Sequence, residues 1–474
     1  MREYLKFYVD GQWVDPIEFK TVNPINPATE EPSGTIALGG VADVDRAVKA
    51  ARKAFKTWSR TTREERLAVL ERIQTEYQKR SDDLAKAVTE EMGAPKGLAG
   101  GFHIGLGAGH LATAIDVLKK FKFEELRGGT MIVKDPIGVV GMITPWNWPI
   151  NQVTVKVFPA IAAGCTVVLK PSQESHYSAQ ILAEIFDAAK VPAGVFNMIQ
   201  GKGSVVGDAI ARHPDIDMVS ITGSEGAGIE VAKAAADTVK RVCQELGGKS
   251  ANIILDDADF AKNVAKGVTG MMVNSGQTCS ATSRMLVPKS RMNEAISVAK
   301  EAAATVTVGD PTTDVFMGPV VSKAQFNSIQ EYINKGIEEG ATLVAGGPGR
   351  PEGLTKGFYV KPTVFANVTN QMVIAREEIF GPVLVIIGYD NVDDAIDIAN
   401  DSPFGLAGNV AGADLNKARD VARQIRSGWV SINDGFDFHA SFGGYKKSGN
   451  GREWGEFGFH EYVEIKSLLG YQPQ

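Results

Sequence analysis

Cysteine is scarce in this chain of 474 residues: Cys165, Cys243 and Cys279 are all it has. They are odd in number and far apart, which argues against a disulfide framework and against a cysteine-based zinc site. The six histidines are equally scattered, with no His-x-x-x-His pair, so no metal is expected. Long apolar runs are missing too. No stretch reaches the roughly 18 uninterrupted apolar residues of a membrane span, and Met1–Lys6 lacks the apolar core of a signal peptide. Nor is there an excess of basic residues: 50 Lys and Arg stand against 56 Asp and Glu, a formal net charge of −6. That balance argues against nucleic acid and against an anionic membrane surface as partners. A cytoplasmic protein is the expectation, and the length calls for about two or three domains.

Hydrophobic periodicity organises what is present. Leu5 to Val14 predicts a strand, a turn and a strand, and Asn23 to Gly34 predicts irregular chain. Helical period begins at Asp43; Thr62 and Glu65 pair as a capping box, Ser81 is the expected N-cap of a third helix, and a fourth covers His103 to Leu118. From Gly138 to Gln244, apolar strands at Val139–Ile143, Thr166–Leu169, Val195–Ile199, Met218–Ile221 and Val239–Cys243 alternate with helical runs. Uniformly apolar strands separated by amphipathic helices predict a parallel sheet covered on both faces. Ligands of such sheets bind beyond the carboxyl ends of the strands. A second alternation starts near Ala251 and runs past the strand Trp429–Ile432, predicting a second α/β domain. The stretches Phe121–Asp135 and Tyr462–Leu469 alternate apolar and polar residues, which predicts half-exposed strands that pair with each other or with another subunit.

Five places could carry chemistry. Cys279 sits in Asn274-Ser275-Gly276-Gln277-Thr278-Cys279-Ser280-Ala281, among small and polar residues that suit an approachable nucleophilic thiol; free cysteine is also commonly buried and inert. Thr144-Pro145-Trp146-Asn147-Trp148-Pro149 is a stiff turn presenting an amide that suits an oxyanion, or simply a turn asparagine. Lys170-Pro171-Ser172 ends an adjacent strand, where a lysine meets ribose hydroxyls, a phosphate or only solvent. Gly223-Ser224 follows a strand and opens a helix, a setting for a pyrophosphate or a tight turn. Gly201-Lys202-Gly203 with Gly207 misses the dinucleotide fingerprint because residue 206 is valine. Glu245 ends a strand before two glycines and suits a mobile general base, or a solvated surface group.

Taken in order, these motifs resemble the aldehyde dehydrogenase superfamily, in its hydrolytic NAD(P)-dependent branch. Glu245-Leu246-Gly247-Gly248-Lys249, Glu378-Ile379-Phe380-Gly381-Pro382 and Phe442-Gly443-Gly444-Tyr445-Lys446 extend the resemblance almost end to end. It implies a Rossmann-like cofactor domain (residues 1–116 and 137–247), a second α/β catalytic domain (248–447) and a small β oligomerisation extension (117–136 and 448–474). By resemblance Cys279 attacks the aldehyde, Asn147 and the Cys279 N–H hold the oxyanion, hydride passes to the nicotinamide, and Glu245 activates the water that hydrolyses the thioester. Thr144, Trp146, Lys170, Ser172, Gln173, Gly223, Ser224, Glu378 and Phe380 are implied to hold NAD or NADP. Trp148, Gln152, Val155, Phe436 and Phe442 are implied to line or approach the aldehyde tunnel. Phe436, Phe438 and His439 on one short loop suggest an aromatic entrance, and no arginine stands there to hold a substrate carboxylate. Gln173 departs from the family's usual glutamate, which implies use of both cofactors unless the adjacent Glu174 substitutes for it; Ser441 and Thr282 are departures of loop type. A homodimer or homotetramer is implied. The alternatives are a CoA-acylating dehydrogenase, against which Glu245 speaks, a thiol esterase without redox chemistry, and a nucleotide-binding protein without catalysis.

Overall fold

The computed structural model describes residues 1–472. Its first sheet has eight strands, in the order Gly449–Asn450, Arg241–Glu245, Met218–Thr222, Val139–Ile143, Thr166–Lys170, Phe196–Met198, Phe7–Val9 and Gln12–Val14. The five strands from Arg241–Glu245 to Phe196–Met198 run parallel, and the chain ends supply antiparallel edges. Four of the five, Val139–Ile143, Thr166–Lys170, Phe196–Met198 and Met218–Thr222, are buried along their whole length, as helix-covered parallel strands require. Val139–Ile143 lies at the centre, with Thr166–Lys170 on one side and Met218–Thr222 on the other, so strand order reverses about it. Register then fixes the neighbours: Ile143 stands beside both Lys170 and Ile221, and Thr222 beside Glu245. The motifs that follow these strands therefore emerge at one edge.

The second sheet orders Thr342–Ala345, Thr363–Ala366, Val383–Tyr389, Arg284–Pro288, Ala251–Ile254, Ala407–Ala411 and Trp429–Ile432, parallel except for the first. A third, three-stranded sheet pairs Thr130–Pro136 with Glu124–Arg127 and with the C-terminal strand Val463–Leu469. The two alternating segments thus meet each other, and the strand end leaves Ile465, Leu468 and Leu469 exposed. Among the described residues no helix is long and apolar enough to cross a membrane.

Several sequence expectations are corrected. The fifth strand begins at Arg241, not Val239, because Val239 is left-handed (φ 55°) and solvent-exposed. Ser81 is the first helical residue, not the N-cap; the preceding helix ends at Lys79, Arg80 bridges the two, and the Ser81 hydroxyl donates to the Tyr77 carbonyl. The Thr62–Glu65 capping box forms as read. The stretch from Asn23 to Gly34 is not wholly irregular: Ile25–Asn26 pairs with Glu31–Pro32, and Gly34–Ala37 pairs with Arg2–Tyr4. Helices Lys323–Glu338 and Val392–Asn400 and the strand Ala407–Ala411 went unread; Ala407-Gly408-Asn409-Val410-Ala411 is fully buried but too small-residued to look like a strand.

Candidate active site

Cys279 follows a loop built from backbone constraint. Asn274, Ser275 and Gly276 are consecutive left-handed residues (φ 54°, 56° and 71°). Asparagine tolerates that region and glycine is at home in it. Only glycine fits at 276, since a Cβ there would lie 2.1 Å from the Gly381 carbonyl oxygen. The loop is pinned by its buried amides: Gln277 Nε2 donates to the Asn274 carbonyl and Gln277 Oε1 accepts from the Val321 N–H. Ser275 Oγ donates to the Gly318 carbonyl at 2.9 Å.

Asn147 reaches this loop across the sheets. Its Nδ2 donates to the Gln277 carbonyl at 3.1 Å, and Asn274 Nδ2 donates back to the Asn147 carbonyl at 2.8 Å. An amide nitrogen has two hydrogens, so one remains for a ligand. Trp148 Nε1 donates to Thr278 Oγ1 at 3.0 Å, locking the adjacent residue onto the same loop.

Glu245 is buried, and neither carboxylate oxygen has a hydrogen-bond partner. The reading of it as a solvated surface group does not hold. Burial, then the nearby Glu453 carboxylate, push its pKa well above the carboxylate range, with Lys156 and Arg452 pulling the other way. Lys156 is itself buried, donates to Ser220 Oγ at 3.0 Å and pairs with Glu453. Sequence reading missed this pair, although a signal existed: Lys156 is the one charged residue in the apolar helix Pro149–Ala163, and a buried lysine needs a partner. The Cys279 thiol is pushed up to about 12 by burial and by the Glu378 and Glu245 carboxylates.

Two cavities meet at the thiol. One, of about 330 Å³, is lined by Pro145, Trp146, Asn147, Gly223, Ser224, Gly247, Glu378 and Phe380 as well as Cys279. Glu378 accepts from the Gly248 N–H at 2.8 Å, and a Cβ on Gly247 would strike its carboxylate; burial raises it to about 7. Trp146 and Phe380 meet edge to face, ring centres 5.4 Å apart. Ser224 caps the helix Glu225–Ala235 by accepting from the Ala227 N–H, so this helix opens its positive end toward the cavity. Thr222, whose Oγ1 is buried without a partner, lines this cavity and its neighbour. This glycine-walled space with a helix N-terminus and an acceptor carboxylate fits the phosphate and ribose chemistry of a dinucleotide.

Thr144, Lys170, Ser172 and Gln173 lie outside that lining. The Thr144 hydroxyl is buried without a partner, and its N–H donates to the Lys170 carbonyl. Lys170 is not the solvated strand end considered above: it is buried, with burial lowering it to about 8. Ser172 Oγ accepts from the Glu174 N–H. Gln173 and Glu174 line a separate groove of about 260 Å³ together with Lys202, Ser322 and Lys323.

The other cavity, of about 290 Å³, holds Cys279, Glu245 and Glu453 at depth, and Trp148, Gln152, Phe436 and Phe442 in its walls. Phe102, Leu106, Asn151, Gly270, Val273, Trp429 and Trp454 also line it and were not foreseen. Val155 packs behind this wall with Leu406, Phe442 and Trp454. Phe438 stacks on Trp454 and meets His110 edge to face, a supporting rather than a lining role. No lysine or arginine lines this cavity.

The model of the aldehyde dehydrogenase family matches residues 13–468. A 3-succinoylsemialdehyde-pyridine dehydrogenase from a Pseudomonas species is 52% identical over 475 residues, covering all of both chains. Among solved structures, a mutant of aldehyde dehydrogenase C from Pseudomonas syringae, complexed with NAD+ and octanal, superposes with a TM-score of 0.98 at 52% identity, covering 99% of this chain and 97% of that one. The aldehyde dehydrogenase of Mycobacterium tuberculosis complexed with NAD+ gives 0.96 at 42% identity, with 98% of each chain covered. Identity of this order, held from end to end in sequence and in backbone, leaves one conclusion: the chain belongs to the aldehyde dehydrogenase family.

Proposed function

We propose that Cys279 is the nucleophile, Asn147 with the Cys279 N–H the oxyanion donor, and Glu245 the base in the family's reaction, NAD(P)+-dependent oxidation of an aldehyde to its acid. The observation that carries these roles is that Cys279 lines both cavities, with the unpartnered Glu245 carboxylate on the aromatic side only. The Cys279 thiol gives up its proton to water, its sulfur bonds to the aldehyde carbon, and the carbonyl π pair moves to oxygen, where the free Asn147 N–H meets it. Bound in the glycine-walled cavity, NAD(P)+ would supply a positive charge near the thiol and the acceptor for the hydride that leaves as the oxyanion's pair re-forms the carbonyl. The acyl group is then a thioester on Cys279. Glu245 takes a proton from water as that water attacks the thioester; the carbon–sulfur bond breaks, and the acid leaves.

Trp146, Gly223, Ser224, Glu378 and Phe380 would hold the nicotinamide side, and Thr144, Lys170, Ser172 and Gln173 the adenosine side. NADP use as well as NAD is our reading of Gln173: an amide does not repel a 2′-phosphate as a carboxylate does, and Lys202 and Lys323 share its groove. A preference for NAD beyond a thousandfold in kcat/KM would overturn it. Apolar aldehydes are the favoured substrates, because the cavity is aromatic and without a cation; the octanal complex of the Pseudomonas syringae relative agrees with this. We assign residues 1–116 and 137–247 to cofactor binding, 248–447 to catalysis, and 117–136 with 448–474 to subunit contacts in a cytoplasmic dimer or tetramer. The exposed Ile465, Leu468 and Leu469 support the last of these.

The test is a panel of aldehydes followed by NADH and NADPH absorbance, with and without CoA. Acid formed without CoA is the expected result; strict dependence on CoA would point to acyl transfer instead and remove the role given to Glu245.

A further inference from the structure

The helix Phe260–Met272 carries two interior glycines, Gly267 and Gly270. Glycine weakens a helix interior, so each asks for a reason. Gly267 has one in packing: a Cβ there would lie 2.4 Å from Met285 Cε and 2.9 Å from Asn252 Nδ2. Gly270 has none. A Cβ built on it meets nothing within 4 Å, and its helical backbone suits any L-residue.

What adjoins Gly270 is the aldehyde cavity, which it lines one helical turn before Val273. Gly270 is exposed, as are Phe102 and Phe436 in the same lining, at 49% each. Glu245, Trp148 and Phe442 in that lining are all buried. The cavity therefore runs from a closed floor at the carboxylate to a mouth where two phenylalanines and one bare stretch of backbone face solvent. Its volume of about 290 Å³ is small for a ligand pocket. A long tail on an aldehyde whose carbonyl is at Cys279 extends from this floor toward the mouth.

We propose that Gly270 is a specificity-determining residue: by carrying no side chain it keeps the mouth open, so that the enzyme accepts aldehydes with long or bulky apolar tails. The assignment rests on the reading of this cavity as the aldehyde site. It gives the helix's unexplained glycine a reason that packing does not.

The experiment compares kcat/KM for propanal and decanal, with NAD+, in the unsubstituted protein, Gly270→Ala and Gly270→Leu. In the unsubstituted protein decanal is expected to be used at least as well as propanal. In Gly270→Leu the decanal-to-propanal ratio is expected to fall by about tenfold or more, the usual discrimination of a pocket altered by a few methylenes. Gly270→Ala should lower the ratio less while raising Tm, because alanine suits this backbone and narrows the unfolded ensemble. An unchanged ratio in both variants overturns the assignment, as does a parallel loss on both aldehydes, and each leaves aldehyde oxidation by the unsubstituted protein standing. An unsubstituted protein that oxidises neither aldehyde overturns the assignment together with the reading beneath it.

Discussion

On one side Cys279 faces backbone and small residues, Gly223, Ser224 and Gly247, with Glu378 held by a main-chain N–H. On the other it faces rings, Trp148, Trp429, Phe436, Phe442 and Trp454, with two buried carboxylates beneath them. Much of the first side is made of turns that directly follow parallel strands, in the short runs Pro145–Asn147, Thr222–Ser224 and Leu246–Gly247, while Glu378 and Phe380 come from the loop before the strand Val383–Tyr389. The second gathers single residues from helices, a loop and the C-terminal segment. The difference separates two tasks. A dinucleotide is common to many enzymes and is met by backbone, whereas the aldehyde differs between enzymes and is met by side chains that can vary one at a time.

Breaking the junction between the two sides should have the largest effect. Cys279→Ala is expected to lower kcat by about four orders of magnitude or more, measured as NADH formation. The buried Cys165 and Cys243 cannot replace it. Removing the base touches only the ring side. Glu245→Gln should leave a burst of reduced cofactor in stopped flow and lower steady-state turnover by about 10²–10⁴-fold. Because burial and Glu453 hold Glu245 protonated well above the usual carboxylate range, the hydrolytic step in the unsubstituted enzyme should speed up as pH rises through its raised pKa. The variant should lose that dependence.

Asn147 belongs to the backbone side but serves the reacting oxygen. Asn147→Ala is expected to cost about 10²–10³-fold in kcat, and unlike Glu245→Gln it should slow the burst itself. The smallest effect sharpens the cofactor end alone. Gln173→Glu should lower kcat/KM for NADP+ by about tenfold, on the order of 1.4 kcal/mol, through repulsion of the 2′-phosphate. The same variant should leave the aldehyde ranking as it is, which a spectrophotometric comparison of two aldehydes checks.

The same contrast explains how much could be read from sequence. Asn147, Gly223–Ser224 and Glu245 were legible because a parallel sheet delivers strand-end motifs to one edge, and apolar strands announce such a sheet; Cys279 follows the helix Phe260–Met272 instead and stood out by its small polar neighbours. Phe102, Gly270 and Trp454 were not, since nothing local distinguishes a ring or a glycine that will face a cavity from one that will not. Lys156 and Glu453 are 297 residues apart, and only the fold makes them a pair. The shifted fifth strand turned on the backbone of Val239, whose side chain favours the extended conformation that its position does not allow. For Lys170 the sequence left the solvated alternative open because burial of a strand end depends on the turn Gly203–Gly207 folding against it, where Lys170 Cδ comes within 3.8 Å of a Cβ built on Gly207.

The short strand Gly449–Asn450 pairs with Gln244 and Glu245, and Glu453 closes on Lys156 from the same stretch of chain. During synthesis, then, the nucleophile and the oxyanion amide leave the ribosome well before the base acquires its surroundings. A nascent chain that has emerged only as far as Trp429 owns Cys279, Asn147 and Glu245, but not the walls that withdraw Glu245 from water. Completion of the last segment is what turns a chain bearing the right residues into one whose base has its working acidity.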